Sequence, residues 1–345
     1  MLEVSDPEPR FVVIDSNLVR SGSSYACRAL DFLRERGATS VHTVVLTHMH
    51  QDHYSGLELI LKSFDVERLV IPPMFSANDA VCRRQLDKAK KKLQRQVSLT
   101  DDDAIVKPAL SLAAILKFIR QNKDKVEEAT GRNNVFQIPG ASNLELRAHL
   151  PLKGIKGQIH AWFENGSAYD NFPHLNDSSI ALSVRYRGHN LLLTGDSTRS
   201  QWEEHRRLSK RDGVVCLEAD LLKAPHHGSK DNNNDSVYDY LLNPEKRCHV
   251  FVSSNGRSHP HDEFFALVAA RKIQPHCTNL AIQCTAPNVE RFPPMSGIPA
   301  AARAFIEHYD VDSAPIPCQG DITLRIDDQG DLTIANSTNR PCIYS

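Results

Sequence analysis

Residues 44–53 read Val44-Val45-Leu46-Thr47-His48-Met49-His50-Gln51-Asp52-His53, an apolar run that opens into four potential metal ligands. Imidazole nitrogens and carboxylate oxygens suit Zn²⁺, Mn²⁺ or Fe, and a tight loop after a buried strand can offer them to two neighbouring ions. A lone histidine is ordinarily structural. The pattern His-x-His-x-Asp-His at a strand end is not accounted for in that way, and it points to His48, His50, Asp52 and His53 as ligands.

Two later stretches repeat the design of strand followed by ligand. In Asn190-Leu191-Leu192-Leu193-Thr194-Gly195-Asp196 a carboxylate follows a buried strand, and Gly195 permits close backbone approach. In Leu221-Leu222-Lys223-Ala224-Pro225-His226-His227-Gly228-Ser229 two imidazoles follow an apolar run. Adjacent side chains leaving a strand cannot point the same way, so one histidine is expected to ligate and the other to face substrate or brace its neighbour. His226 is assigned to metal and His227 to the substrate side.

Further apolar runs, Phe11 to Ile14, Val41 to Leu46, Arg68 to Ile71 and Val250 to Val252, suit buried strands. A helix is predicted over Tyr25 to Arg36, with Ser24 as N-cap and Gly37 as the stop, and a shorter one over Gly56 to Phe64. Asp321 to Ile326 and Asp331 to Ile334 alternate about Asp327-Asp328-Gln329-Gly330, a hairpin pattern. Asp231 to Asp235 reads as a loop. Mixed strands and helices of this kind predict an α/β sandwich. Ser76 to Gly140 differs in lacking strand runs. It carries Arg83, Arg84, Lys88, Lys90, Lys91, Lys92 and Arg95, then an apolar stretch from Leu110 to Ile119. It is taken as a charged helical insertion at about 76–140 on a single domain of residues 1–345, either as a solvated face or as a cover that steers anions.

The 345 residues are 41% hydrophobic, enough for a full core. Lys+Arg 41 against Asp+Glu 42 leaves no global field to draw the molecule to a polyanion or a lipid surface, so any such binding must be local. The acidic, Pro-containing Met1 to Arg10 has no apolar targeting core, and no stretch approaches membrane-spanning length, so the expectation is a cytoplasmic protein with no membrane partner. Cys27, Cys82, Cys216, Cys248, Cys277, Cys284, Cys318 and Cys342 form no Cys-x-x-Cys pair and are expected to be reduced and mostly buried.

Taken in order, the His-x-His-x-Asp-His cluster, the Leu-Leu-Thr-Gly-Asp strand end and the Pro-His-His-Gly-Ser turn resemble the metallo-β-lactamase superfamily. More narrowly, they are similar to the metallohydrolase domain of ComEC-type competence channels. Asn176-Asp177-Ser178-Ser179-Ile180, Ser258-His259-Pro260-His261 and Gly320-Asp321-Ile322-Thr323 carry the same likeness. The resemblance covers roughly residues 10–75 and 140–335. It implies a four-layer αββα sandwich with two divalent ions, Zn or Mn, at one edge of two facing sheets. His48 and His50 would bind the first metal and Asp52, His53 and His226 the second, with Asp196 bridging. A further histidine usually completes the first site; here the matching loop offers both His174 and Asp177. Related domains also begin with an extra strand and a Gly-Gln-Gly-like turn before the strand matched by Phe11 to Asp15, and this chain is expected to start too late to contain them.

Two metals about 3.5–4 Å apart lower the pKa of a shared water and clamp an oxyanion, so hydrolysis is the expected reaction. Asp52 would orient the hydroxide, and His227, His259 or His261 would bind the oxyanion or protonate the leaving group. The expected substrate is a phosphodiester in DNA, RNA or a nucleotide. In-line displacement suits a two-metal clamp, the similar subgroup is linked to DNA uptake and nuclease activity, and Asp196 stands where many true β-lactamases carry cysteine. Two alternatives stand beside it: hydrolysis of a small ester, lactone or phosphocholine-like phosphodiester, and a non-catalytic metal-stabilised binding module.

Overall fold

The computed structural model describes residues 1–5, 9–21, 24–73, 80, 83–84, 87–88, 91, 94–95, 103–129, 131, 134–138, 141, 143–165, 174–254, 259–279, 281 and 317–342. The chain begins with β1 (Leu2–Ser5) and β2 (Pro9–Ile14), a small hairpin of β3 (Val19–Ser21) and β4 (Ser24–Ala26), and α1 (Arg28–Glu35). Next come β5 (Ser40–Val45), α2 (Gln51–Tyr54), α3 (Leu57–Ser63) and β6 (Asp65–Ile71). The middle holds α4 (Asp103–Gln121), β7 (Val126–Glu128), β8 (Asn134–Phe136), β9 (Leu144–Leu150) and α5 (Lys153–Glu164). Then follow β10 (Ala181–Tyr186), β11 (His189–Leu193), α6 (Arg199–Arg211), β12 (Leu221–Lys223) and α7 (Asp235–Leu241). The last elements are β13 (His249–Val252), α8 (Asp262–Ala270), β14 (Gln274–Cys277) and the hairpin of β15 (Ile322–Ile326) and β16 (Leu332–Asn336).

Two sheets dominate, ordered β1-β2-β5-β6-β7 and β14-β13-β12-β11-β10-β9-β8. β2, β5, β6 and β7 are parallel, as are β11, β12, β13 and β14, whereas β8 to β11 run antiparallel. Strand side chains alternate between faces, and the packing follows that alternation. Val12, Val45 and Val70 of the first sheet meet Phe136, Leu146, Leu182 and Val184 of the second in one core between the sheets. Their neighbours Val13, Val44 and Leu69 face the other way, onto Leu33 of α1, Ile60 of α3, Ile115 of α4 and Ile159 of α5. Behind the second sheet, Leu222 and Val250 pack with Trp202 of α6, Tyr238 of α7 and Phe264 of α8. Helix, sheet, sheet and helix make four layers, the αββα architecture. Strands buried on both faces explain why their sequences read as unbroken apolar runs.

Three local expectations are corrected. Ser24 lies in β4 and caps nothing; α1 starts after Cys27, and Gly37, at φ 64°, ends it as predicted. The segment read as free of strands supplies β7 to the edge of the first sheet and β8 to the edge of the second. A three-residue edge strand is too short to show periodicity. Within the basic run, the described residues Arg83, Arg84, Lys88, Lys91 and Arg95 are helical and exposed, while Lys90 and Lys92 lie outside the described residues. The extra strand expected to be missing before Phe11 has a counterpart in β1, which lies antiparallel to β2 at the sheet edge. Cys27, Cys248, Cys277, Cys318 and Cys342 are buried, and Cys82 and Cys284 fall outside the described residues. No helix among the described residues is long and apolar enough to cross a membrane.

The parallel arrangement positions the site. The C-terminal ends of β2, β5, β11, β12 and β13 open onto one edge of the sandwich, where Ile180 N–H donates to the Thr47 carbonyl at 2.9 Å and ties the loops of the two sheets together. Strand-end crevices of this kind are where open α/β sheets hold ligands.

Candidate metal centre

The loop after β5 carries His48, His50, Asp52 and His53 into this edge, with Asp52 and His53 in the single turn of α2. β11 leads to Gly195 in a left-handed conformation, φ 54°, and then to Asp196. A Cβ on Gly195 would run into Ser179 Oγ, the hydroxyl that accepts the Asp196 N–H at 3.0 Å, so glycine is what lets the carboxylate be aimed from here.

Two ligand groups result. His48, His50 and Asp196 form one, and Asp52, His53 and His227 form the other, the ligand atoms of each lying within 4.8 Å of one another. Asp196 joins them through separate oxygens. Its Oδ1 lies 3.4 Å from His53 Nε2 and 3.5 Å from His227 Nε2, while its Oδ2 lies 3.8 Å from His48 Nε2. Around the second group, Asp52 Oδ2 is 3.3 Å from His227 Nε2 and 3.7 Å from His53 Nε2. Ligands about 2.0–2.1 Å from a tetrahedral ion lie roughly 3.3 Å apart, which is the spacing found. His53 Nε2, His227 Nε2 and Asp196 Oδ1 are moreover buried with no hydrogen-bond partner among the described residues. Buried polar atoms are rarely left so; three aimed at one point fit a cation.

The supporting contacts fix which nitrogen each histidine offers. Asp15, at the end of β2, accepts from His53 Nδ1 at 2.7 Å, from Thr47 Oγ1 at 2.7 Å and from Thr47 N–H at 2.8 Å. His227 Nδ1 lies 2.9 Å from the Ser253 carbonyl after β13. Both histidines therefore carry hydrogen on Nδ1, which leaves Nε2 as the atom each offers to an ion, with the outer partners common around metals.

The electrostatics of the ion-free protein follow from the same contacts. Burial lowers the His53 pKa, but the charge and hydrogen bond of Asp15, together with the adjacent Asp196 carboxylate, outweigh it and push it up to about 10. Burial raises Asp196, but the adjacent His53 and the charges of His227 and His48 hold it well below the carboxylate range. Asp52 is likewise raised by burial and then held below that range by the adjacent His227 and the charge of His53. Burial lowers His48 and His50, keeping them neutral as ligation requires.

The remaining expected residues fall elsewhere. His226, assigned from sequence to the Asp52–His53 group, has Nε2 3.7 Å from Asp196 Oδ2, on the side of His48, and it is His227 that stands with Asp52 and His53. Its ring centroid is 6.2 Å from that of His227. His174 Nδ1 and Asp177 Oδ2 pair with each other at 2.9 Å, and Asp177 also accepts from Thr198 at the start of α6; neither joins the first group. His259 lies at the rim, its ring stacked on His227 at 6.4 Å and 19°, with His261 Nδ1 3.2 Å from its own Nδ1. Burial, then the neighbours His226, His261 and His227, lower the His259 pKa to about 4. Asp15, Asn232 and Ser253 were not singled out from sequence. Asp15 ends an apolar strand as the ligands do and was legible by that signal; Asn232 and Ser253 gave none.

Residues 21–73, which include the ligand loop, match the Metallo-beta-lactamase superfamily. The fold class that the motifs indicated is met by the architecture, and the matched stretch holds the first of the three motif segments. Among individual proteins, the chain is 25% identical over 246 residues to ComE operon protein 3 of Bacillus subtilis (strain 168), covering 71% of this chain and spanning 24% of that protein's length. Among solved structures, a variant of the CmlA beta-hydroxylase matches 69% of this chain and 43% of its own, at 13% identity and a TM-score of 0.34. CmlA, a diiron beta-hydroxylase from Streptomyces venezuelae, matches 62% and 35%, at 15% identity and a TM-score of 0.27.

Proposed function

We propose that the protein is a binuclear metal-dependent hydrolase that cleaves phosphodiester bonds in DNA, RNA or a nucleotide. The observation that carries this reading is Asp196, whose two carboxylate oxygens face two separate ligand groups. A pair of divalent ions, when bound there, supplies Lewis acidity to an oxyanion and a water of lowered pKa. The chain's residues do the rest. His48, His50 and Asp196 hold one ion, and Asp52, His53, His227 and Asp196 hold the other, which moves His227 from the substrate side to the ligand set.

Asp52, with its side chain 51% exposed, is the ligand that meets solvent and is placed to orient a nucleophile. His259 is neutral at neutral pH and lines the rim beside His226, with ring centroids 5.3 Å apart, where it offers a hydrogen bond to an incoming anion. The phosphodiester preference is supported by the ComEC-type motifs, by the likeness to ComE operon protein 3, and by the carboxylate at Asp196, which suits a two-ion clamp for in-line displacement.

The test is metal analysis of purified protein followed by assays with Mn²⁺ or Zn²⁺ on single-stranded DNA, duplex DNA, RNA and bis-p-nitrophenyl phosphate. Two equivalents of metal and turnover that is lost in Asp52→Ala and His53→Ala are expected. Turnover of esters or lactones but of no phosphodiester would overturn the substrate class. Unchanged turnover in metal-replete Asp52→Ala would overturn the mechanism.

A further inference from the structure

His226 and His227 occupy consecutive left-handed backbone positions, φ 44° and 52°, and their rings splay apart. What a histidine offers at its outer nitrogen is set by the group that holds its inner one. The two differ in that respect. The inner nitrogen of His227 meets the Ser253 carbonyl at 2.9 Å, which only accepts, beside the Ser253 hydroxyl at 2.8 Å, which is able to accept the same hydrogen. The inner nitrogen of His226 lies 2.9 Å from Asn232 Nδ2, with Asn176 Nδ2 at 3.5 Å. An amide NH₂ only donates, so His226 Nδ1 accepts and its hydrogen sits on Nε2.

The Asn232 amide cannot be turned round to undo this. Its Oδ1 accepts the backbone N–H of Arg199 at 3.1 Å, a donor that a flipped amide would meet with another donor. Asn232 is itself buried, at 7% exposure, and its N–H donates to the Ser229 carbonyl, so the side chain is held from both ends. His226 Nε2–H thus points at the metal edge, 3.7 Å from Asp196 Oδ2, which is too long for a hydrogen bond. A neutral imidazole with hydrogen on that nitrogen cannot ligate through it.

We infer that His226 is a hydrogen-bond donor to an anionic oxygen of the substrate and not a metal ligand, and that Asn232 is the positioning residue that fixes it in the donating form. The inference rests on the hydrolase reading above and gives the tandem histidines opposite tasks: His227 ligates and His226 donates. It also leaves the first ion with three protein ligands, His48, His50 and Asp196, the number that catalytic sites keep beside an open position.

Asn232→Asp tests it directly. A carboxylate only accepts, so it still receives the Arg199 N–H but now requires hydrogen on His226 Nδ1, turning a lone pair toward the metal edge. Nitrogen-15 NMR of the imidazoles is expected to show Nε2–H for His226 in the wild type and Nδ1–H in Asn232→Asp. Metal titration with Zn²⁺ is expected to give two equivalents for the wild type and His226→Ala, and one for His227→Ala. On bis-p-nitrophenyl phosphate, His226→Ala and Asn232→Asp are both expected to lower kcat by about 10²–10³-fold, the usual loss for one preorganised donor. Hydrogen on Nδ1 in the wild type, or loss of one equivalent in His226→Ala, would overturn the inference. The NMR and titration need no turnover, so they decide the role of His226 even if the phosphodiester reading fails.

Discussion

Asp15→Asn isolates what a supporting carboxylate contributes to the second ion. Asp15 accepts three hydrogen bonds: Thr47 N–H on Oδ1, and Thr47 Oγ1–H and His53 Nδ1–H on Oδ2. Asparagine has one acceptor oxygen. If that oxygen keeps the Thr47 N–H, the NH₂ group faces His53 Nδ1 and drives its hydrogen to Nε2, the atom 3.4 Å from Asp196 Oδ1 that an ion needs. Loss of such a partner typically weakens metal affinity 10–100-fold, or about 1.4–2.7 kcal/mol at 1.4 kcal/mol per decade.

The pH dependence should change with it. In the ion-free wild type His53 holds its proton up to about pH 10, so affinity for the second equivalent should rise with pH up to that point, by as much as about tenfold per unit. The stability contributed by this proton is fully present below pH 6.5 and is lost as pH rises through about 10, because the folded-state value is the raised one. Without the Asp15 charge both trends should flatten. Calorimetric titration of Zn²⁺ at several pH values measures the affinity trend, and ion-free melting curves over the same range measure the stability trend. An unchanged second Kd and an unchanged pH slope in Asp15→Asn would refute the reasoning.

Gly195→Ala places a side chain against Ser179 Oγ at a left-handed position; strain of about 1–3 kcal/mol is expected, with a lower Tm and loss of the shared ligand in metal titration, and a variant that keeps both ions would show that Asp196 tolerates the shift. His149 is buried neutral, burial first and then the nearby His205, Arg147 and Arg185 lowering its pKa to about 3. Between the ordinary value of 6.5 and about 3 the unfolded chain binds the proton and the fold does not, so stability should fall by about 1.4 kcal/mol per pH unit on acidification; His149→Gln should flatten that limb in acid titrations followed by circular dichroism. Replacing Lys90, Lys91 and Lys92 with Glu should lower kcat/KM on a DNA oligonucleotide at low salt while sparing bis-p-nitrophenyl phosphate, because screening shortens from about 10 Å at 0.1 M to about 3 Å at 1 M salt. Equal effects on both substrates would make this basic segment scaffold only.

The sequence by itself determined the strands that bear ligands, since parallel strands buried on both faces must read as apolar runs and their polar ends must lie at one edge. It also marked His48, His50, Asp52, His53 and Asp196, whose order and spacing are local, as candidates that the structure brings together. The tertiary structure alone decided how they divide. The contacts that set His226 and His227 apart come from Asn232 and Ser253, six and twenty-six residues away in sequence. His174 and Asp177, which spacing left as equal candidates, turned to each other and to the start of α6. The reason is physical: a tautomer and a side-chain direction are set by the partner at the far nitrogen, and that partner comes from a neighbouring loop that is not legible in the local sequence, while the two ligand groups come together only where the edges of the two sheets meet.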